Sequence, residues 1–158
     1  MIIREMNISD IQKVRNIAFD TWRDTYSSFI PEAIQDKVLG EAYSDEAMDE
    51  RFKSSITLVA ENNDEILGYA FFYSKDSGKN VFLESIYVHP KHQRKSAGKH
   101  LFHNGLERFR ESETISLTVY KGNPSISFYK KEGFKIEKEL NGDFFGHPIV
   151  FTLMKKNV

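Results

Sequence analysis

The chain has 158 residues, 40% of them apolar and 28% charged, with a net charge of −1. That length suits one domain with a substantial core, and the near-neutral balance offers no global field for nucleic acid or a membrane surface. Cysteine is absent, which excludes disulfides, thiolate metal sites and a cysteine nucleophile.

Met1–Glu5 lacks the apolar core of a signal peptide, and no apolar run approaches a membrane span. A cytoplasmic location is therefore expected. Without repeats or a low-complexity linker, residues 1–158 read as a single domain.

In chain order, Ile2–Met6 reads as a first strand. Ser9-x-x-Gln12 fits a capping box, and Ile11, Val14, Ala18 and Trp22 follow at helical steps. Pro31 opens a second helix to about Leu39, which Gly40 is expected to stop. Ser44-Asp45 caps a third short helical piece to about Phe52. Ile56–Ala60, Ile66–Tyr73 and Val81–Val88 read as three strands of an antiparallel meander.

A cationic loop follows, Lys91-His92-Gln93-Arg94-Lys95-Ser96-Ala97-Gly98-Lys99-His100, and then a helix expected to end near Glu113. Thr114–Val119 alternates like a strand. Asn123 with Pro124 can start a short helix bearing Ile126, Tyr129 and Lys130, which Gly133 ends. Phe134–Leu140 and His147–Met154 are the last strands, with Asn141-Gly142 as the expected tight turn.

The order β-α-α-(α)-β-β-β-α-β-α-β-β implies an α/β (α+β mixed) fold: about seven strands in a mixed sheet, with helices on both faces. The strands around the central helix should be parallel.

The strand–cationic loop–helix unit is a phosphate cradle in the making. A helix N-terminus presents unpaired N–H groups and a partial positive charge. Lys91, Arg94, Lys95 and Lys99 add charge, in a chain whose basic character is otherwise dispersed; the ligand is expected to be a small anion. A Rossmann unit would need G-x-G-x-x-G, and a Walker loop a glycine where Gln93 stands. The five histidines lack metal-ligand spacing, so no metal is expected.

Two motifs resemble the GNAT family of acetyl-CoA-dependent N-acetyltransferases. Gln93-Arg94-Lys95-Ser96-Ala97-Gly98 is similar to its Q/R-x-x-G-x-G/A phosphate loop. Gly122 to Phe134, with Phe128-Tyr129 and Gly133-Phe134, is similar to its later asparagine loop and F-Y-x-x-x-G-F helix. A weaker resemblance, over Pro124–Lys130, is to spermidine/spermine acetyltransferases.

The chain departs from the pattern twice. Ser96 replaces the loop's first glycine, so it must either bear a left-handed backbone or adopt a right-handed one and offer its hydroxyl to a phosphate. The position seven residues before the tyrosine is Gly122, so Asn123 stands one residue late and reads first as a helix cap.

The resemblance implies transfer of an acetyl group from acetyl-CoA to a primary amine. It implies cofactor contacts at Ile86, Tyr87 and Val88 for pantetheine, at Gln93, Arg94, Lys95, Ser96, Ala97, Gly98 and Lys99 for pyrophosphate, and at Asn123, Ser127 and Lys131. Tyr129 matches the tyrosine that protonates the leaving thiolate, and Glu84 the glutamate that acts on the amine. Glu84 is also the one charge inside an apolar strand. Trp22 and Tyr26 are expected on the acceptor side. The acidic residues Glu41, Asp45, Glu46, Asp49 and Glu50 would suit a polyamine or form a solvated helix face.

The partner implied is a small amine, with neither nucleic acid nor membrane; a homodimer is compatible with the resemblance. A protein or peptide acceptor and a silent CoA-binding module stay open as alternatives.

Overall fold

The computed structural model describes residues 1–93 and 96–158. Seven strands form one mixed sheet: β1 Ile2–Glu5, β2 Ile56–Asn62, β3 Glu65–Ser74, β4 Asn80–Val88, β5 Thr114–Tyr120, β6 Lys135–Phe144 and β7 His147–Asn157, in the order β1-β2-β3-β4-β5-β7-β6. The helices are α1 Ile11–Tyr26, α2 Glu32–Ala42, α3 Asp45–Ser54, α4 Ala97–Glu107 and α5 Ile126–Lys131.

Alternation along the strands builds a core on each face. Val59, Tyr69 and Phe71 meet Val14, Ala18, Trp22, Leu39 and Met48 from α1–α3. Leu58, Ala70, Phe72 and Leu117 meet Leu101, Phe102 and Tyr129 from α4 and α5. Helix α4 lies very close to the sheet: a Cβ on Gly105 would stand 2.0 Å from the Phe72 ring. Two features of β4 position the site. Its parallel pairing with β5 is confined to Asn80–Phe82 against Thr114–Ser116. Its pairing with β3 slips between Phe71 and Phe72, matching Leu83 and Ser85 and leaving Glu84 without a partner.

Four local expectations give way to tertiary context. The first helical turn begins after Asn7, because the Asp10 carboxylate accepts the Asn7 N–H at 2.9 Å; Gln12 instead bonds Asn16. A carboxylate at a helix start is favoured by the dipole. Gly40 does not stop α2, which continues to Ala42. Helix α4 ends at Glu107, since the N–H groups of Glu113 and Thr114 are drawn to the Lys79 carbonyl at the entry to β5.

The final hairpin turns at Phe145-Gly146, not Asn141-Gly142. Both turn residues have positive φ, 51° and 86°, as a two-residue type I′ turn requires, and Asp143 accepts the Gly146 N–H. Gly142 serves a different purpose: a Cβ there would lie 3.1 Å from the Phe151 ring.

An exposed glycine inside a helix predicts an easy gain. A Cβ at Gly40 meets nothing within 4 Å. Gly40→Ala is expected to raise stability by about 0.5–1 kcal/mol, measured as a higher denaturant midpoint with an unchanged m-value.

Candidate active site

Beyond Phe82 and Ser116, β4 and β5 diverge. The facing edges of Leu83–Val88 and Leu117–Tyr120 are left without a strand partner. A cavity of about 1130 Å³ occupies the gap and extends beneath α1 and α2. That is somewhat above the usual range of about 300–1,000 Å³ for a small-molecule site, room for an extended ligand and a second small one.

Glu84 and Tyr129 both line this cavity, as do Ile86, Tyr87, Val88, Gln93, Ser96, Ala97, Gly98, Lys99, Asn123, Ser127, Lys131, Trp22 and Tyr26. Arg94 and Lys95 lie outside the described residues. Gln93 donates from Nε2 to the Val88 carbonyl at 3.2 Å, and His89 pairs with Asp20 of α1 at 2.8 Å. These contacts pin the end of β4 and the approach to α4. A Cβ on Gly98 would stand 3.7 Å from Val88 Cγ2 and 4.0 Å from Phe128 Cζ. Both are ordinary contact distances to residues that line the cavity, so a Cβ there would fit and would narrow the space beside the start of α4.

Ser96 settles one choice. Its φ of 64° and ψ of 8° are left-handed, so the right-handed alternative does not occur, and its side chain caps no helix N–H. The glycine-like geometry is retained at the expense of strain. Ser96→Gly is expected to leave stability unchanged or raise it by up to about 1 kcal/mol, as relief of strain is offset by unfolded-state entropy. Ser96→Val is expected to lower it by about 1–2 kcal/mol, since a β-branched residue tolerates positive φ poorly. Thermal unfolding of the pair checks both.

The bulge at Glu84 shifts the parity of β4. Val81 and Leu83 join the core under α4, and so do Ile86 and Val88 past the bulge. Glu84 faces the other helices, and the Arg51 guanidinium of α3 holds it: Nε lies 2.8 Å and Nη2 2.7 Å from the same carboxylate oxygen, Oε2. Glu84 is thus not a charge without a partner, as its strand context implied. Among the described residues Oε1 has no hydrogen-bond partner. Arg51 is itself fixed, 4.7 Å from the Phe71 ring and 5.2 Å from that of Tyr43, and it also donates to the Ala42 carbonyl.

Tyr129 is 7% exposed, and burial pushes its phenol up from the ordinary value; the neighbouring Tyr87 adds to this and Ser125 opposes it. Burial also raises Tyr87, whose hydroxyl accepts from Trp22 Nε1 at 3.3 Å. Asn123 is fully engaged as a brace. Its amide donates to the Tyr26 hydroxyl at 2.6 Å, and its oxygen accepts from the Ser125 N–H at 2.8 Å and hydroxyl at 2.7 Å. It ties the loop before α5 to α1. Ser127 donates to the Pro124 carbonyl.

A sequence profile described as the Acetyltransferase (GNAT) family matches residues 12–134. The chain belongs to this family. It is 24% identical over 151 residues to the spermidine N(1)-acetyltransferase of Thermoplasma acidophilum, covering 90% of this chain and 92% of that protein. It is 27% identical over 133 residues to the N-acetyltransferase YuaI of Bacillus subtilis, covering 81% and 76%. Among solved structures, the PaiA N-acetyltransferase of Thermoplasma acidophilum, in complex with coenzyme A, superposes with a TM-score of 0.84 at 23% identity, covering 99% of this chain and 98% of that one. The seven-stranded mixed sheet is therefore a GNAT fold, and the protein is an acetyltransferase of that family.

The GNAT cavity also contains residues that sequence reasoning missed. Arg51 lies 33 positions from Glu84, and no local spacing signals the pair. Tyr120, Phe144 and Phe151 extend the wall begun by Trp22 and Tyr26. The two phenylalanines reach it only because the hairpin turn falls at Phe145-Gly146. The acidic residues 41–50 do not line the cavity: Asp45 pairs with Arg15 and Asp49 with Lys53. Among the described residues, no cluster of three or more His, Cys, Asp or Glu could hold a metal ion, and no helix is long and apolar enough to cross a membrane.

Proposed function

We propose that the protein transfers the acetyl group of acetyl-CoA to a primary amine of a small molecule, by direct attack within a ternary complex. One observation carries this reading: the divergence of β4 and β5 opens a cavity lined by a free strand edge, the start of α4, Glu84 and Tyr129. Two relatives support it, one named for spermidine acetylation and one solved with coenzyme A.

The pyrophosphate would rest on the backbone N–H groups of Ala97, Gly98 and Lys99, with Lys99 and Lys131 supplying charge. The pantetheine amides would pair with the open edge at Ile86–Val88, as an added strand does. A backbone N–H of that edge would polarise the thioester carbonyl. The amine nitrogen attacks the carbonyl carbon as one of its protons passes to Glu84 Oε1, directly or through water. The C–N bond forms, and the tetrahedral oxyanion is held by the backbone donor. Its collapse breaks the C–S bond. The departing sulfur takes a hydrogen bond from Tyr129 and draws its proton from solvent, while the proton on Glu84 returns to solvent, so the protons balance. Arg51 orients the carboxylate through Oε2 and leaves Oε1 to face the amine.

The test is thiol release from acetyl-CoA across a panel of small amines. Release that depends on an added amine supports the proposal. Stabilisation by CoA without release under any amine would instead make the chain a binding module. Glu84→Gln is expected to lower kcat by about a hundredfold or more, the lower end of the 10²–10⁴ typical of general base catalysis, with the KM for acetyl-CoA unchanged. An unaltered kcat removes Glu84 from the chemistry.

A further inference from the structure

One wall of the cavity is built of the rings of Trp22, Tyr26, Tyr120, Phe144 and Phe151. Tyr120, at the end of β5, lies at its centre: its ring is 4.5 Å from that of Tyr26, 6.0 Å from Trp22, 5.8 Å from Phe144 and 5.3 Å from Phe151. The polar tips on this wall are unequally used. Trp22 Nε1 donates to the Tyr87 hydroxyl, and the Tyr26 hydroxyl accepts from Asn123. The Tyr120 hydroxyl has no partner among the described residues, although Tyr120 is only 6% exposed and lines the cavity. A buried hydroxyl without a partner is costly, and a ligand that supplies one is rewarded.

Charge on this wall is sparse. Of the carboxylates lining the cavity, Glu84 is held by Arg51, and Asp24 is exposed to solvent, where its attraction is screened. A molecule with several ammonium groups would find one carboxylate inside, and the rest would have only ring faces, whose cation–π attraction is smaller than the cost of burying an unpaired charge.

We infer that the acceptor is a monoamine with a ring-sized apolar body, seated against these rings with its amino group hydrogen-bonded to the Tyr120 hydroxyl. This rests on the acetyl-transfer reading and narrows its substrate. The rings offer the body edge-to-face and offset packing. The phenol oxygen accepts one amine N–H while Glu84 takes the proton lost on attack.

Thiol release with 2-phenylethylamine and with spermidine separates the alternatives. The expected result is a kcat/KM at least tenfold higher for 2-phenylethylamine. Equal or better use of spermidine overturns the inference while leaving acetyl transfer intact; no release with either amine, or with any other primary amine, overturns both. Tyr120→Phe supplies an independent readout. It is expected to raise the KM for 2-phenylethylamine at least fivefold with kcat changed less than twofold, while the melting temperature holds or rises as the unpartnered hydroxyl is removed. An unchanged KM in a folded variant overturns the role of Tyr120.

Discussion

Tyr129→Phe is expected to lower kcat for acetyl transfer by at least about tenfold, within reach of the 10²–10³ typical of losing a donor to developing charge. The substitution removes one oxygen and keeps the ring that packs between Phe128 and Phe134, so the fold should persist. Burial pushes the Tyr129 phenol up. It therefore stays protonated, as a donor must, throughout the pH range in which the enzyme would work. The same burial limits how far the proton travels. A thiol's ordinary value is near 8.5 and a phenol's near 10, so full transfer to the thiolate is uphill even before burial is counted. Tyr129 thus acts chiefly by hydrogen-bonding sulfur as charge develops there. Two consequences follow for a kinetic comparison. The KM for acetyl-CoA should change little, because the bond strengthens only in the transition state. The alkaline limb of the wild-type pH–rate profile should not move in Tyr129→Phe. A folded variant with wild-type kcat would remove Tyr129 from the leaving-group side.

Much of this arrangement was legible in residue order, because it depends on local signals. The cationic loop between a strand and a helix, and the Phe128-Tyr129 helix closed by Gly133, each depend on spacing within a dozen residues. What was not legible depends on pairing across the chain. The slip that leaves Glu84 unmatched is a property of the β3–β4 register, and an apolar run such as Val81–Val88 reads alike with or without it. Arg51 comes from a helix whose acidic residues looked more informative than its one arginine in contact with the sheet. Asn141-Gly142 carries a stronger turn signal than Phe145-Gly146. Yet Gly142 is needed under the Phe151 ring, and that need appears only once the hairpin register is known. Ser96 shows the converse. The position kept the left-handed backbone that the loop geometry imposes even though the residue that favours it is gone. The loop's geometry overrode local preference there.

The second large effect is unfolding in alkali. Burial raises the phenols of Tyr26, Tyr43, Tyr69, Tyr87, Tyr120 and Tyr129 above the ordinary value. In the unfolded chain these groups lose their protons near pH 10. Above that pH the folded state holds more protons than the unfolded one, so stability falls as pH rises; below it the contribution is complete and constant. Each such tyrosine costs about 1.4 kcal/mol for every pH unit above 10. The five whose shifts are large, Tyr26, Tyr43, Tyr69, Tyr120 and Tyr129, together remove on the order of 7 kcal/mol in the first full unit, against a total stability of about 5–15 kcal/mol for a typical domain. The protein is therefore expected to unfold cooperatively between about pH 11 and 12. The tyrosinate absorbance should rise in the same step as the far-UV circular dichroism is lost. Discharge of lysines in the same range alters the surface, where single ion pairs contribute little. Tyrosinate forming smoothly near pH 10, with the circular dichroism still native, would mean that these hydroxyls reach water in the folded protein. It would also undercut the burial of Tyr120 and Tyr129 on which their roles depend.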